Sequence, residues 1–263
     1  MVPVPKPRDT AHSRGIEMRN LESAGRRSFL KAAGVIGGVA FAGAALSQRI
    51  AWAAALTKEQ RDRMTPDEIL QMMKSGNERF RNGQVSTQDY LAQQKASAKG
   101  QYPAAVLLSC IDSRAPAEMV MDLGIGDVFN ARVAGNIANE DILGSMEFSC
   151  QLAGAKVILV MGHTACGAIK GAIARAQLGN LTGLLAKIRP AVDATVYQGE
   201  RSANNYPFVD AVARKNVELT MADIHKRSSV IAALETKGAV KIAGAMYNLE
   251  TAVVEFLGSA PKS

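Results

Sequence analysis

From Pro103 onward the chain repeats one pattern: a short, solidly apolar run, then a segment with helical spacing, then another run. The runs cover residues 104–108, 127–134 and 156–161, the second bounded by Gly124, Gly126 and Gly135. Strands that are apolar on both sides have no face to give to water, so they belong in a parallel sheet with helices above and below. The spacing predicts helices over 115–123, 141–152, 165–177, 181–195 and 209–235, with two later apolar segments, 240–245 and 253–257, adding strands at one edge. The expected class is α/β: a mostly parallel sheet flanked by helices, preceded by an N-terminal helical arm.

The arm begins at Thr65-Pro66-Asp67-Glu68. Thr65 can cap, Pro66 suits the first helical position, and Glu68 closes a capping box, so a helix runs to Arg81 and stops at Asn82-Gly83. Residues 84–100 are polar with little periodicity, which reads as an extended arm lying on a second chain.

Two stretches at strand ends carry the chemistry. Cys110-Ile111-Asp112-Ser113-Arg114 comes after the first run, and His163-Thr164-Ala165-Cys166 after the third. Open α/β sheets place ligands at the carboxyl ends of their strands, so neighbouring first and third strands bring two thiols and an imidazole together. Zinc takes thiolate and imidazole ligands tetrahedrally, and three protein ligands leave one position open for water or substrate. Cys110, His163 and Cys166 are the candidate ligands of one Zn2+ per chain. The third cysteine, Cys150, falls inside the predicted helix 141–152 and reads as a small buried hydrophobe. An odd cysteine count argues against a disulfide framework.

Two thiolates cancel the charge of a zinc ion, so such an ion acidifies water less than one held by neutral histidines. Asp112 is placed to accept a hydrogen bond from metal-bound water. Arg114 can pair with it through a bidentate fork, keeping it ionised and aimed.

The net charge of +7 is concentrated at the start of the chain. Residues 1–56 hold eight Lys or Arg against three Asp or Glu, and the remaining 207 hold 23 against 21. That body lacks the clustered basic face that nucleic acid requires. Arg26-Arg27-Ser28-Phe29-Leu30-Lys31, an apolar Gly- and Ala-rich run over residues 32–46, and small-residue cleavage positions after Ala53 or Ala55 together resemble a twin-arginine export signal. Residues 1–55 are thus expected to be signal and extension, with residues 1–17 ahead of Met18 dispensable, and residues 56–263 one domain. The resemblance implies a periplasmic or exported protein that meets the membrane only during export. Export in the folded state suits thiolates that must keep a metal.

Cys110-Ile111-Asp112-Ser113-Arg114 with His163-Thr164-Ala165-Cys166-Gly167 resembles the β-class carbonic anhydrases, from about Thr65 to the C-terminus. The resemblance implies zinc on Cys110, His163 and Cys166, an Asp112–Arg114 catalytic pair, and zinc-bound hydroxide that hydrates carbon dioxide reversibly to bicarbonate and a proton. It implies that Gln101 hydrogen-bonds substrate across the interface of a homodimer or higher oligomer, and that Phe129 and Gly167 line the pocket. Ala134 and Phe148 stand where the family often has Val and Tyr. In family members with a closed site the residue matching Asp112 is the fourth ligand. Those with a regulatory bicarbonate site carry a Trp three residues before the first Cys, paired with an Arg. Here Leu107 and Arg132 occupy those places, so an open site without a bicarbonate switch is expected. His225, beside Lys226 and Arg227, reads as a solvated helix position, not a proton shuttle. The alternatives are a carbonyl sulfide or carbon disulfide hydrolase on the same site, and a zinc-binding protein without activity.

Overall fold

The computed structural model describes residues 55–259; the twin-arginine segment lies outside them. In chain order the elements are α1 (Lys58–Arg63), α2 (Pro66–Arg81), α3 (Tyr90–Ser97), β1 (Ala105–Ser109), α4 (Ala117–Val120), β2 (Val128–Arg132) and α5 (Glu140–Glu147). They continue with β3 (Val157–His163), α6 (Gly167–Ile173), α7 (Gly179–Ala194), α8 (Tyr206–Arg227), α9 (Ser229–Thr236), β4 (Lys241–Tyr247) and β5 (Val254–Ser259). The strands form one sheet in the order β2-β1-β3-β4-β5. The first four are parallel, and β5 runs antiparallel on the β4 edge.

The solid apolar runs are explained by burial on both faces. In β1, Val106 and Leu108 join one core with α5 to α9, and Ala105 and Leu107 join the other with α2 and α4. In β3, Ile158 and Val160 take the first face while Val157, Leu159 and Met161 take the second. Each such Val, Leu or Ile contributes about 1.5–3 kcal/mol on leaving water, so shifting either strand by one residue would gain nothing: both faces are already apolar. The α8 helix lies close on the sheet because β3 offers Gly162, where a Cβ would come within 2.8 Å of Val217 Cγ2 and of Met246 Sδ.

The start of α2 is as the sequence predicts, with Thr65 and Glu68 capping each other reciprocally. Residues 84–100 are not extended throughout. Asp89 accepts from Ala92 N–H and opens α3, a cap that the segment's polar composition conceals. The segment also docks on its own chain: Ser86 N–H and hydroxyl reach Asp122, and Gln93 Oε1, fully buried, accepts from Ile125 N–H.

Several helices are shorter than their periodicity predicts. The 115–123 segment keeps helix only at α4, because Asp122 adopts a left-handed φ of 49°. The 209–235 segment breaks at Ser228, whose hydroxyl accepts from Ile231 N–H and starts α9. In 141–152 the α-helix ends at Glu147 and a wider π turn runs from Phe148 to Leu152. Cys150 is buried in that turn, and burial pushes its thiol up to about 12, an inert hydrophobe as expected. No helix among the described residues is long and apolar enough to cross a membrane.

Candidate metal centre

The pairing of β1 with β3 sets Ser109 opposite Met161, so Cys110, just past β1, and His163, the last residue of β3, emerge at the same end of the sheet. His163 belongs to the strand itself and not, as its spacing predicts, to the turn after it. Cys166 is the residue before α6. All three are buried, at 4%, 1% and 1% exposure. Cys110 Sγ and Cys166 Sγ are 4.0 Å apart, and one ligand atom from each residue lies within 4.8 Å of the others.

These residues fit zinc on their own chemistry. His163 Nδ1 is 2.9 Å from the Thr164 carbonyl, which only accepts, so the ring proton sits on Nδ1 and Nε2 presents a lone pair. That Nε2 is buried with no hydrogen-bond partner. A buried nitrogen without a partner is costly, and a soft divalent cation between it and two sulfurs relieves it. Sharing one proton between the thiols, with the Gly135 amide donating to Cys110 Sγ, pulls Cys110 well below the usual thiol range while Cys166 is pushed up. A metal replaces the remaining proton.

Each strand end is braced differently. On the β3 side, Ala165 takes a left-handed φ of 55°, and its N–H donates to Asp210 Oδ1 on α8 at 2.8 Å. Thr164 N–H donates to the Tyr247 carbonyl, and Thr164 Oγ1 accepts from Leu249 N–H. On the β1 side, Arg132 at the end of β2 donates to the carbonyls of Cys110 and Asp112, at 2.9 and 2.6 Å.

Asp112 is held as the sequence suggests. Arg114 donates Nε to Oδ1 at 3.0 Å and Nη2 to Oδ2 at 2.8 Å, and its own N–H reaches Oδ1 at 2.9 Å. The Arg114 side chain is 59% exposed, so the pair adds only about 0–1 kcal/mol to stability. Its effect is on aim and charge: with the Arg114 guanidinium first among the causes, Asp112 is held down to about 2. Asp112 Oδ2 stands 3.8 Å from His163 Nε2.

Gly167 begins α6 beside Cys166, with open space where a side chain would be. Phe129 lies mid-strand in β2 opposite Val106, its ring 6.0 Å edge-on from Phe148. Gln101 is not brought to the cluster within one chain. It is exposed, four residues before β1, whereas Cys110 lies past the strand's other end. There it lines a cavity of about 390 Å³ with Ser97, Gly100 and Ile125. His225 is half-exposed and joined to Glu235 at 2.6 Å. Sequence reasoning passes over Asp210 and the clamping role of Arg132: an acid on an amphipathic helix and an Arg ending a strand have no distinguishing pattern.

Residues 105–254 match the family model described as carbonic anhydrase. Carbonic anhydrase 2 of Mycobacterium tuberculosis is 34% identical over 180 residues, covering 68% of this chain and 86% of that protein. Among solved structures, the Coccomyxa beta-carbonic anhydrase in complex with acetazolamide is 26% identical with a TM-score of 0.57, over 62% of this chain and 75% of that one. One of two tetrameric beta-carbonic anhydrases from the ascomycete Sordaria macrospora shares the fold, at 23% identity and a TM-score of 0.54, over 61% of this chain and 83% of that one.

Proposed function

The chain belongs to the β-class of the carbonic anhydrase family, and from that premise we propose how its residues divide the work of hydrating carbon dioxide to bicarbonate and a proton. Cys110, His163 and Cys166 would hold one zinc per chain, which when bound would supply a Lewis acid that makes water nucleophilic near neutral pH. Asp112, ionised across the working range, accepts the hydrogen bond of the attacking water at Oδ2 and turns its lone pair toward carbon dioxide. Arg114 keeps that carboxylate charged and aimed. Both Asp112 oxygens are engaged by the Arg114 fork, which supports the open form of the site. Gly167 and Phe129 line the approach.

Gln101 serves the site of a second copy, because its own site lies past the other end of β1. The tetrameric state of the Sordaria macrospora relatives supports a homo-oligomer. Leu107 in place of a Trp, with Arg132 occupied by two backbone carbonyls, supports the absence of a bicarbonate switch. The Arg26-Arg27 segment supports export in the folded, metal-loaded state to the periplasm or beyond.

The observation that carries this reading is the partnerless, buried His163 Nε2 facing two thiols with an ionised carboxylate alongside. Metal analysis with a stopped-flow hydration assay tests it. One zinc per chain with activity rising through neutral pH is expected, and carbonyl sulfide and carbon disulfide, assayed beside carbon dioxide, should turn over far more slowly. A chain that holds no zinc, or that prefers either sulfur compound, overturns it. Arg26→Lys with Arg27→Lys should leave the protein in the cytoplasm on cell fractionation; unchanged export would defeat the twin-arginine assignment.

A further inference from the structure

Cys110 has a partner behind it, and that partner is itself held. Gly135 donates its N–H to Cys110 Sγ at 3.3 Å, and its carbonyl accepts from Asn216 Nδ2 at 2.8 Å. Asn216 is 3% exposed on α8, where its core-facing neighbours are Val212, Ala213 and Val217. A buried amide in such a row costs desolvation that an apolar residue would avoid, unless its bond does something.

Gly135 shows what the bond fixes. Its backbone is left-handed, at φ 70° and ψ 20°, and a Cβ there would lie 2.5 Å from Ile188 Cδ1, so conformation and space both favour glycine. Glycine is also the residue freest to leave that conformation. Its N–H stays on the sulfur only if something holds the other end of the residue, and Asn216 holds it.

We propose that Asn216 is a positioning residue for Cys110, acting through Gly135 to keep an N–H donor on the ligand sulfur. The inference rests on the zinc reading above. An N–H on a thiolate draws off part of the charge that the sulfur would otherwise donate to the metal, so the ion stays a stronger Lewis acid. That answers the difficulty of a zinc whose charge two thiolates cancel.

The test replaces Asn216 by Ala and by Leu, the latter similar in size but without a donor, in the full-length protein. Leu219→Ala is the control: Leu219 lines the same cavity of about 580 Å³ as Asn216, and its alkyl side chain has no donor to offer Gly135. In variants with the parent's circular dichroism, zinc affinity at neutral pH, measured by chelator competition, should fall about 10–100-fold, because a Cys110 sulfur without its N–H donor is more basic, so protons compete better with the metal, and is less well positioned. In the cobalt-substituted forms the sulfur-to-metal charge-transfer band should move to longer wavelength, which a loss of packing alone does not cause. Affinity within twofold of the parent with an unmoved band, or equal changes in Leu219→Ala, would overturn the proposal. If neither Asn216 variant folds, the parent decides: in its cadmium-113 form the Gly135 amide proton should show coupling to the metal and slow hydrogen exchange, and absence of either counts against the proposal. A parent that binds no zinc fails the earlier reading instead.

Discussion

The two loops that meet at the metal centre are built on opposite plans. The β3 loop is buried: His163 and Cys166 are sealed from solvent, Asp210 and Tyr247 grip the backbone between them, and Leu249 N–H holds the Thr164 hydroxyl. The β1 loop buries Cys110 and then turns outward, so that Asp112 is partly exposed and Arg114 mostly so. One loop is braced to hold an ion that must not move. The other presents charge where reactants arrive, with Arg132 fixing its carbonyls from below. The charged pair is thus set outside the sealed β3 loop, while Cys110 anchors the β1 loop to the same ligand cluster.

Substitutions should separate these plans. His163→Ala removes the buried Nε2, and metal analysis should find little zinc, with hydration falling to the uncatalysed rate. Asp112→Asn should instead lower the rate about 10²–10⁴-fold while one zinc per chain remains. Loss of zinc in that variant would mean that Asp112 itself also holds the metal, and the contrast would collapse. The Asp112 carboxyl, monitored by carbon-13 NMR, should titrate near 2 and not in the ordinary range near ~3.9. Because its folded pKa is depressed, the stability that its ion pair contributes is present above the unfolded pKa and is lost as pH falls through about 2. A carboxyl titrating at its usual value would show the fork to be a surface ornament.

Smaller effects test the bracing. Asp210→Ala removes one partly buried bond, worth about 0.5–1.5 kcal/mol, and should lower the melting temperature and speed zinc release while leaving the turnover of loaded enzyme within about twofold. A large drop in turnover at full zinc would give the β3 loop a share of the chemistry. Ala165→Gly relieves a left-handed alanine, a strain of about 1–3 kcal/mol, against an added chain entropy of about 0.5–1 kcal/mol. Thermal melts should show a gain of about 1 kcal/mol; a loss would mean that the Asp210 bond needs the Cβ.

Much of this is legible in the order of residues alone, for definable reasons. Cys110, His163 and Cys166 can be joined because Cys110 and the His163–Cys166 pair each follow a solid apolar run, and parallel strands point their ends the same way. The Asp112–Arg114 fork is legible because its members are two residues apart, within reach of one turn. The hidden parts depend on long-range contact. Asp210 meets Ala165 from 45 residues away, and Asn216 meets Gly135 from 81. Neither helix position differs in pattern from a solvated acid or a stray core amide. The α3 helix escapes notice for the opposite reason: its cap is local, but its few apolar residues give it no periodicity to detect. The break at Ser228 is hidden because helical spacing continues through it and only the hydroxyl cap betrays it.

The distance along the chain between the two cysteines has a thermodynamic consequence. Cys110 and Cys166 are 56 residues apart in sequence, so an ion bound to both is a cross-link that closes α4, β2, α5 and β3 into one loop. Closing a loop of that size removes more freedom from an unfolded chain than a short clip does. Zinc binds the folded arrangement and not its scattered ligands, so free metal acts by mass action on the whole unfolding equilibrium. Resistance to heat or urea therefore becomes a property of the zinc concentration around the protein as much as of the protein itself.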